Sequence, residues 1–268
     1  MNIWNYINTD TRVSRSSDWC GTDSEARWLE NQHKPELDYY RHNPVRYNMN
    51  NQYFRSQYDY MELSGNQTEV DVFLGCSHTV GVGLPEHLTW TSGVSHHTGR
   101  TPVNLALPGS GCEWSLVALM RWRDLLNIRA VYHFQPIYAR YLYKTGDASQ
   151  HALTSNTFVN LRPDQINDNF IARNKSDQGY IELNHYRNVK AIQQLCSEHD
   201  TEYWHSDGSR LSTELQVDLY NPDVLTESDI PARDLQHFPV SWHEQIAEHF
   251  IDQTEPLDWQ LDDQSLNY

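Results

Sequence analysis

The chain has 268 residues, long enough for one large α/β domain, and we expect one such domain with an extension. Nine Trp, sixteen Tyr and seven Phe supply large apolar surfaces, which are typical of a folded chain. The 36 acidic and 20 basic residues give a formal charge of -16, which disfavours nucleic acid and anionic membrane surfaces as partners.

The amino end, "MNIWNYINTDTRVSRSSDW", has no apolar core of signal-peptide length. No later stretch reaches the roughly 20 apolar residues that span a bilayer. These features predict a cytoplasmic protein without a membrane partner. The four cysteines, Cys20, Cys76, Cys112 and Cys196, show no C-x-x-C spacing, so we expect reduced thiols.

Residues 1–67 are rich in Asn, Tyr, Arg and Gln and show no clear helical period. We interpret them as an irregular aromatic and polar arm packed on the main domain, which covers 68–268. Within that domain, the polar region 144–180 is interpreted as an insertion or a long loop.

From Glu69 onward, short apolar runs alternate with longer amphipathic stretches. The runs "EVDVFLG" (69–75), "TPVNLAL" (101–107) and "RAVYHFQ" (129–135) predict buried strands. The stretch 110–127 predicts a crossover helix capped by Ser110 or Ser115. Its expected core face consists of Trp114, Val117, Ala118, Arg121 and Leu125. Further amphipathic stretches lie at 181–200, before the run "TEYWHSD", and at 241–252, which predicts a closing helix.

This alternation predicts a parallel sheet with right-handed crossovers and helices on both faces, which is a three-layer α/β/α architecture. In such sheets the site forms beyond the carboxyl ends of the strands. Three loops should therefore meet there: 75–79, 108–111 and the segment that begins at Ala232.

These loops carry the residue types that nucleophilic catalysis requires. Ser77 offers a hydroxyl, which is a weak nucleophile unless a base lies within reach. Asp234 and His237 are three residues apart, close enough for the carboxylate to accept the imidazole Nδ1–H and leave Nε2 for the serine.

Three motifs resemble the SGNH hydrolases, also called GDSL-like esterases and lipases. The first block of that family, Gly-Asp-Ser-x-Thr, is similar to "GCSHT" at 75–79; its glycine block is similar to Gly109 in "NLALPGSG"; and its Asp-x-x-His is similar to Asp234–His237. The segments "RYNMNNQYFRSQYD", "FLGCSHTVGVGLPEHLTW" and "ARDLQHFPVSWHEQIA" resemble a group of such proteins from marine phage and bacterial genomes.

The resemblance implies a flavodoxin-like α/β/α fold and a role for each matching residue. Ser77 would attack an ester carbonyl, His237 would take its proton, and Asp234 would orient His237. The main-chain N–H groups of Ser77 and Gly109 would bind the oxyanion. The family uses no metal and no cofactor for this chemistry, and we expect none here.

Two departures from the family pattern stand out. Cys76 occupies the usual Asp position of the first block, and the third block, Gly-x-Asn-Asp, is absent from "VYHFQPIYARYLY". Gln135, at the end of the third predicted strand, carries the same amide donor as Asn and is the candidate for the missing oxyanion contact. It could equally bond a neighbouring loop.

Other interpretations of these residues stay open. A serine in a glycine-flanked turn is commonly only a turn residue, and Cys76 could be a nucleophile or a small buried hydrophobe. His78, His87, His96 and His97 could suggest a metal site, although no helical pair with a carboxylate partner supports one. His243 is expected to be a capping or packing residue.

The sequence therefore predicts a serine esterase that forms an acyl-enzyme on Ser77. The expected substrate is a small-molecule or carbohydrate ester, and O-acetyl groups on neutral sugars would suit the aromatic, acidic surface. The alternatives are acyl transfer to a sugar hydroxyl and a non-catalytic binding or structural protein on the same fold. The oligomeric state does not follow from the sequence.

Overall fold

A computed structural model describes residues 15–135, 140–144, 158–161, 178–207 and 229–252. Most of the predicted insertion, at 145–157 and 162–177, lies outside the described residues.

The elements run in the following order along the chain. The strands are β1 (Arg15–Ser17), β2 (Tyr47–Met49), β3 (Glu69–Gly75), β4 (Thr101–Asn104), β5 (Asn127–Gln135), β6 (Tyr141–Lys144), β7 (Phe158–Leu161) and β8 (Glu202–Asp207). The helices are α1 (Glu25–Asn31), α2 (Asp38–His42), α3 (Tyr60–Asn66), α4 (Ser77–Val80), α5 (Trp90–Thr98), α6 (Cys112–Trp122), α7 (Gln178–Glu198) and α8 (Val240–Asp252). Single turns of 3-10 helix lie at Pro35–Leu37 and Glu86–Leu88.

The central sheet is four-stranded and entirely parallel, with the order β4-β3-β5-β8. The predicted strand at 69–75 is confirmed at both ends, and that at 129–135 is confirmed at its carboxyl end. The predicted strand at 101–107 ends early, at Asn104, whose side-chain oxygen accepts the Ala106 N–H. The N–H groups of Leu105 and Leu107 nevertheless continue to donate to β3.

Helices cover both faces of the sheet, which gives three layers and confirms the α/β/α prediction. On one face, α6 and α7 pack on alternate strand residues such as Val72 and Val131. On the other face, α5 and α8 pack on Phe73 and Phe134. In α8 the helical period places Val240, Trp242, His243, Ile246, Ala247 and Phe250 in the interior.

The crossover helix α6 is confirmed, but its predicted cap is wrong. Gly111 is the N-cap, and no side chain caps the helix there. The Ser110 hydroxyl instead donates to the Gly75 carbonyl at 2.9 Å, and Ser115 lies inside the first turns. The core face is also rotated from the prediction: Trp114 and Ala118 are buried as expected, but Leu119 and Trp122 are buried in place of Val117 and Arg121. Leu125 lies beyond the end of the helix and is partly buried against the core.

Residues 15–66 form an antiparallel pair, β1 with β2, and the helices α1–α3. Tyr40 and Tyr47 of this region are buried against Leu84 and Ala232 of the main domain. The Asp23 carboxylate and the Arg233 guanidinium form a buried two-point ion pair, with contacts of 2.8 and 2.7 Å. The amino-terminal region is therefore fixed to the loop that precedes α8.

None of the helices formed by the described residues has the length and apolar content that crossing a bilayer requires.

Candidate active site

The turn after β3 presents Ser77 at the carboxyl edge of the sheet. Gly75 has φ of +150°, and a Cβ there would lie 2.2 Å from Thr79 Oγ1 and 2.3 Å from the Phe134 carbonyl oxygen. Only glycine fits this close approach. The chain then turns at Cys76 and begins α4 at Ser77, whose side chain is largely buried with 6% of its surface exposed.

Cys76, the alternative nucleophile, has no exposed surface. Its carbonyl accepts the N–H groups of Thr79 and Val80 and so closes the first turn of α4. A substrate cannot reach its thiol in this structure, which favours the packing role over the nucleophilic one.

The loop after β4 lies directly beside this turn. The Gly75 carbonyl accepts from both the Leu107 N–H at 3.4 Å and the Ser110 hydroxyl at 2.9 Å. No atom lies within 4 Å of a Cβ added at Gly109, so this residue borders open space. Gly109 is therefore next to the end of β3 and accessible on its outer side.

Two main-chain donors at this edge are unused. Within the described part of the chain, neither the Ser77 N–H nor the Gly109 N–H donates a hydrogen bond. Unpaired N–H groups beside a nucleophile can bind the oxygen of a tetrahedral intermediate.

The acid and base form a direct pair. His237 Nδ1 lies 2.7 Å from Asp234 Oδ2, and Asp234 is almost completely buried. Asp234 Oδ1 accepts the N–H groups of Gln236 at 3.1 Å and His237 at 3.2 Å. Leu235, between them, has φ of +55°, an uncommon conformation for a branched residue. The turn therefore holds the carboxylate against Nδ1 and leaves Nε2 for another partner.

The charge state of Asp234 suits this role. Burial by itself raises the pKa of its carboxyl group. The hydrogen bond and charge of His237, with hydrogen bonds from the Thr22 hydroxyl and the Gln236 N–H, outweigh burial and hold the pKa below its usual value. Asp234 is therefore an anion that can orient and stabilise a protonated His237.

Thr22 belongs to the site and has no sequence motif to mark it. Its hydroxyl donates to Asp234 Oδ2 at 2.5 Å and lies 3.4 Å from His237 Nδ1. Because 212 positions separate Thr22 from Asp234, no local spacing connects them. The side chain of Arg27 also reaches this turn and donates to the Asp234 carbonyl at 3.4 Å.

The turn that carries Asp234 and His237 packs on the loop that follows Ser77. The Arg233 N–H donates to the Gly83 carbonyl at 2.9 Å. Gly83 has φ of +84°, and a Cβ there would lie 2.9 Å from Ala232 Cβ, so glycine is required. Arg55 binds the same loop through the carbonyls of residues 80–84, and Tyr47 accepts the Gly83 N–H at 2.8 Å.

These contacts bring His237 near the turn that contains Ser77, although no hydrogen bond joins His237 to Ser77. The ring centroid of His237 lies 5.0 Å from that of His78, the residue after Ser77. Ser77 and His237, both described, are not hydrogen-bonded to each other. The structure thus brings Ser77, Gly109, Asp234 and His237 to one edge, with the serine–histidine bond unformed.

The remaining histidines have separate roles. His243 Nδ1 accepts a hydrogen bond from the main-chain N–H of Trp90 at 3.1 Å, and burial lowers the pKa of His243 to about 3. His87, His96 and His97 are exposed, whereas His78 is buried. Among the described residues, no group of three or more His, Cys, Asp or Glu side chains is arranged to hold a metal.

Gln135 ends β5 at the same edge and is fully buried. Its strand neighbour Phe134 pairs with Gly75. Because strand residues alternate, Gln135 shares the sheet face of His133, under α6 and α7. Its role as an oxyanion donor stays a prediction.

A separate pocket, lined by residues that include Leu126, Ile128, His199 and Thr201, lies at the amino ends of β5 and β8. It is at the opposite edge of the sheet from Ser77. Cys196 and His199 both line it, but burial raises the pKa of the Cys196 thiol to about 12.

No family model and no curated protein matches the chain. The functional argument therefore depends on this geometry and on the three motifs.

Proposed function

We propose that the protein is a serine esterase of the SGNH hydrolase type, with Ser77 as nucleophile, His237 as base and Asp234 as the residue that orients the base. The observation that carries the proposal is the 2.7 Å contact between Asp234 and His237, in a turn packed on the loop that follows Ser77. An isolated turn serine has no reason to lie beside a buried carboxylate–imidazole pair.

The reaction would run in two steps. Ser77 Oγ attacks the ester carbonyl carbon while its proton passes to His237 Nε2, and the N–H groups of Ser77 and Gly109 bind the resulting oxyanion. Collapse of the intermediate breaks the ester bond, and the departing alkoxide takes the proton from His237. Water then attacks the acyl-enzyme with His237 again as base, which releases the acid and restores Ser77.

The missing Ser77–His237 bond is compatible with this sequence of steps. In free enzymes, catalytic hydrogen bonds are often long or poorly aligned and tighten only when substrate binds. We propose that the ester carbonyl, bound by the N–H groups of Ser77 and Gly109, completes the alignment.

The substrate proposed on general chemical grounds is an O-acetyl ester on a carbohydrate. A small acyl group suits a nucleophile of which little surface is exposed, because a long acyl chain would need a larger apolar site.

Steady-state hydrolysis of 4-nitrophenyl acetate tests the proposal. Wild-type protein should show kcat/KM rising with pH through one transition, because His237 accepts the serine proton only when it is neutral. Ser77→Ala should abolish hydrolysis, whereas Cys76→Ala, the matched neighbour, should retain it. Full activity in Ser77→Ala would overturn the assignment, and loss of activity only in Cys76→Ala would transfer it to the thiol.

A further inference from the structure

Arg140 lies against the loop proposed to bind the oxyanion. Its main chain passes so close to Gly111 that a Cβ on that glycine would lie 2.1 Å from the Arg140 carbonyl oxygen. Gly111 is two residues after Gly109, and Arg140 immediately precedes β6. The side chain of Arg140 therefore begins at the rim of the candidate active site.

The guanidinium of Arg140 is partly buried and has no partner among the residues that the structure describes. Its Nη1 atom is inaccessible to solvent and makes no hydrogen bond. Among the described residues, no hydrogen bond or ion pair is made by the other Arg140 nitrogen atoms either. Because arginine stays protonated in proteins, Arg140 is a partly buried cation with one fully buried donor, Nη1, that lacks an acceptor, which is costly and calls for an explanation.

The two buried arginines of the site region do have acceptors. Arg55 donates to main-chain carbonyls of residues 80–84, and Arg233 binds both oxygen atoms of Asp23. Both hold the scaffold together. Arg140 makes no such contact with the described residues, so they give no scaffold role that accounts for its position.

A second unpartnered nitrogen lies in the same region. His78 is 6% exposed, stacks on Phe238 with a centroid separation of 3.7 Å, and has a buried Nδ1 without a hydrogen bond. Burial above all, and then the charges of His237, His243 and Arg140, lower the pKa of His78 well below its usual value. His78 is therefore neutral, and the charge of Arg140 lies close enough to act on it.

We propose that Arg140 binds the carboxylate group of an anionic ester whose reacting carbonyl lies at Ser77, so that the substrate is an ester of an acidic sugar or of a comparable hydroxy or dicarboxylic acid. This inference rests on the proposed esterase function and deepens it. It replaces the neutral sugar expected from composition with an acidic one, because a guanidinium without a partner provides specific two-point recognition of a carboxylate.

The charge of the whole chain makes this cation more significant. A formal charge of -16 disfavours the approach of any anion, so binding of one requires a local positive site. A substrate carboxylate would supply the acceptor that Arg140 lacks, and the pair would form at the partly buried rim, where screening by salt is weaker than at the open surface.

Two matched pairs of esters test the proposal. The first is 3-acetoxybenzoate with 3-acetoxybenzamide, which places the carboxylate on the alcohol side. The second is 4-nitrophenyl hydrogen succinate with its methyl ester, which places it on the acyl side. In at least one pair, Arg140→Gln should lower kcat/KM for the anionic member by about 10- to 100-fold and leave the neutral member nearly unchanged.

Two further variants serve as controls. Arg129→Gln removes an arginine near the amino end of β5, where it pairs with Glu202 at 3.2 Å, and should not change the preference for the anion. Arg140→Lys keeps the charge and should retain part of the preference. Equal losses for anionic and neutral members in both pairs, with Arg140→Gln still folded by circular dichroism, would overturn the proposal.

A binding measurement separates this inference from the esterase function itself. Titration calorimetry of 3-hydroxybenzoate and of monomethyl succinate requires no turnover. If Ser77 proves unreactive, carboxylate binding that is present in wild type and lost in Arg140→Gln supports the subsite, and equal binding by the two proteins removes it.

Discussion

Replacing Thr22 by valine removes the hydroxyl that contacts Asp234 and His237 and keeps the branched shape of the side chain. The lost hydrogen bond is the 2.5 Å contact from the Thr22 hydroxyl to Asp234 Oδ2, and the same hydroxyl lies 3.4 Å from His237 Nδ1. The substitution therefore affects the orientation of the pair without touching the proposed substrate site.

The expected magnitude follows from the partners that remain. A hydrogen bond to a charged group contributes about 1.5 to 3 kcal/mol, equivalent to roughly 10- to 150-fold in rate. Asp234 keeps His237 and the N–H groups of Gln236 and His237, so its carboxylate stays in place. We therefore expect kcat to fall by about tenfold, the lower end of that range.

The pKa of Asp234 provides a second readout that a purely structural effect would not change. The Thr22 hydroxyl helps to hold that pKa below its usual value, so it should rise in Thr22→Val, and NMR titration of the Asp234 carboxyl group measures it. Thr22→Ser keeps the hydroxyl and should behave like wild type. Wild-type kcat and an unchanged Asp234 pKa in Thr22→Val would refute the reasoning.

Three further changes test other parts of the account. Asp234→Asn should keep the fold but favour the wrong His237 tautomer, with a loss of kcat on the order of 10⁴ if the serine protease precedent applies, and a loss below about tenfold would contradict it. Gln135→Ala should lower kcat by about 10² to 10³ with little change in KM if its amide binds the oxyanion, and near-normal kcat would remove it from the site. Burial above all lowers the pKa of His133 and His243 to about 3. The unfolded chain therefore binds their protons first as pH falls below about 6.5, and stability is lost from there down to about pH 3. Each histidine should cost about 2 kcal/mol between pH 7 and pH 5, and urea unfolding that gives equal free energies at the two values would contradict this.

The parallel sheet could be predicted because its strands are buried on both faces. Such strands are largely apolar, as in "EVDVFLG", and this strand ends at Gly75, where the tight turn that follows requires glycine. The end of β5 was likewise marked by Pro136, which follows Gln135 and cannot donate to a neighbouring strand.

The features that sequence reasoning missed depend on contacts between distant residues. Ser110 has the residue type of a helix cap, but its hydroxyl binds the Gly75 carbonyl, 35 positions away. Thr22 reaches Asp234 across 212 positions. Arg140 carries no motif, and its significance comes only from its position beside Gly111 and from its Nη1 atom, which has no acceptor among the described residues. Local patterns report secondary structure and cannot report such pairings.

The assignment of Asp234 and His237 as a pair was accessible from their spacing, because a carboxylate and an imidazole three residues apart can meet within one turn. The sequence also predicted that their segment meets the Ser77 loop at one edge of the sheet, but not the contacts of Arg55, Tyr47 and Gly83 that fix the two relative to each other. The arm thus positions the site, although its composition indicates only a polar, aromatic surface.

Covalent labelling by a fluorophosphonate probe tests the central claim most directly, because the probe reacts with an activated serine and not with an inert one. Wild-type protein should gain one adduct, which peptide mass spectrometry should locate on Ser77. Labelling should disappear in Ser77→Ala, persist in Cys76→Ala, and fall strongly in a His237→Gln variant. An unlabelled wild type, or an adduct on any other residue, would contradict the account.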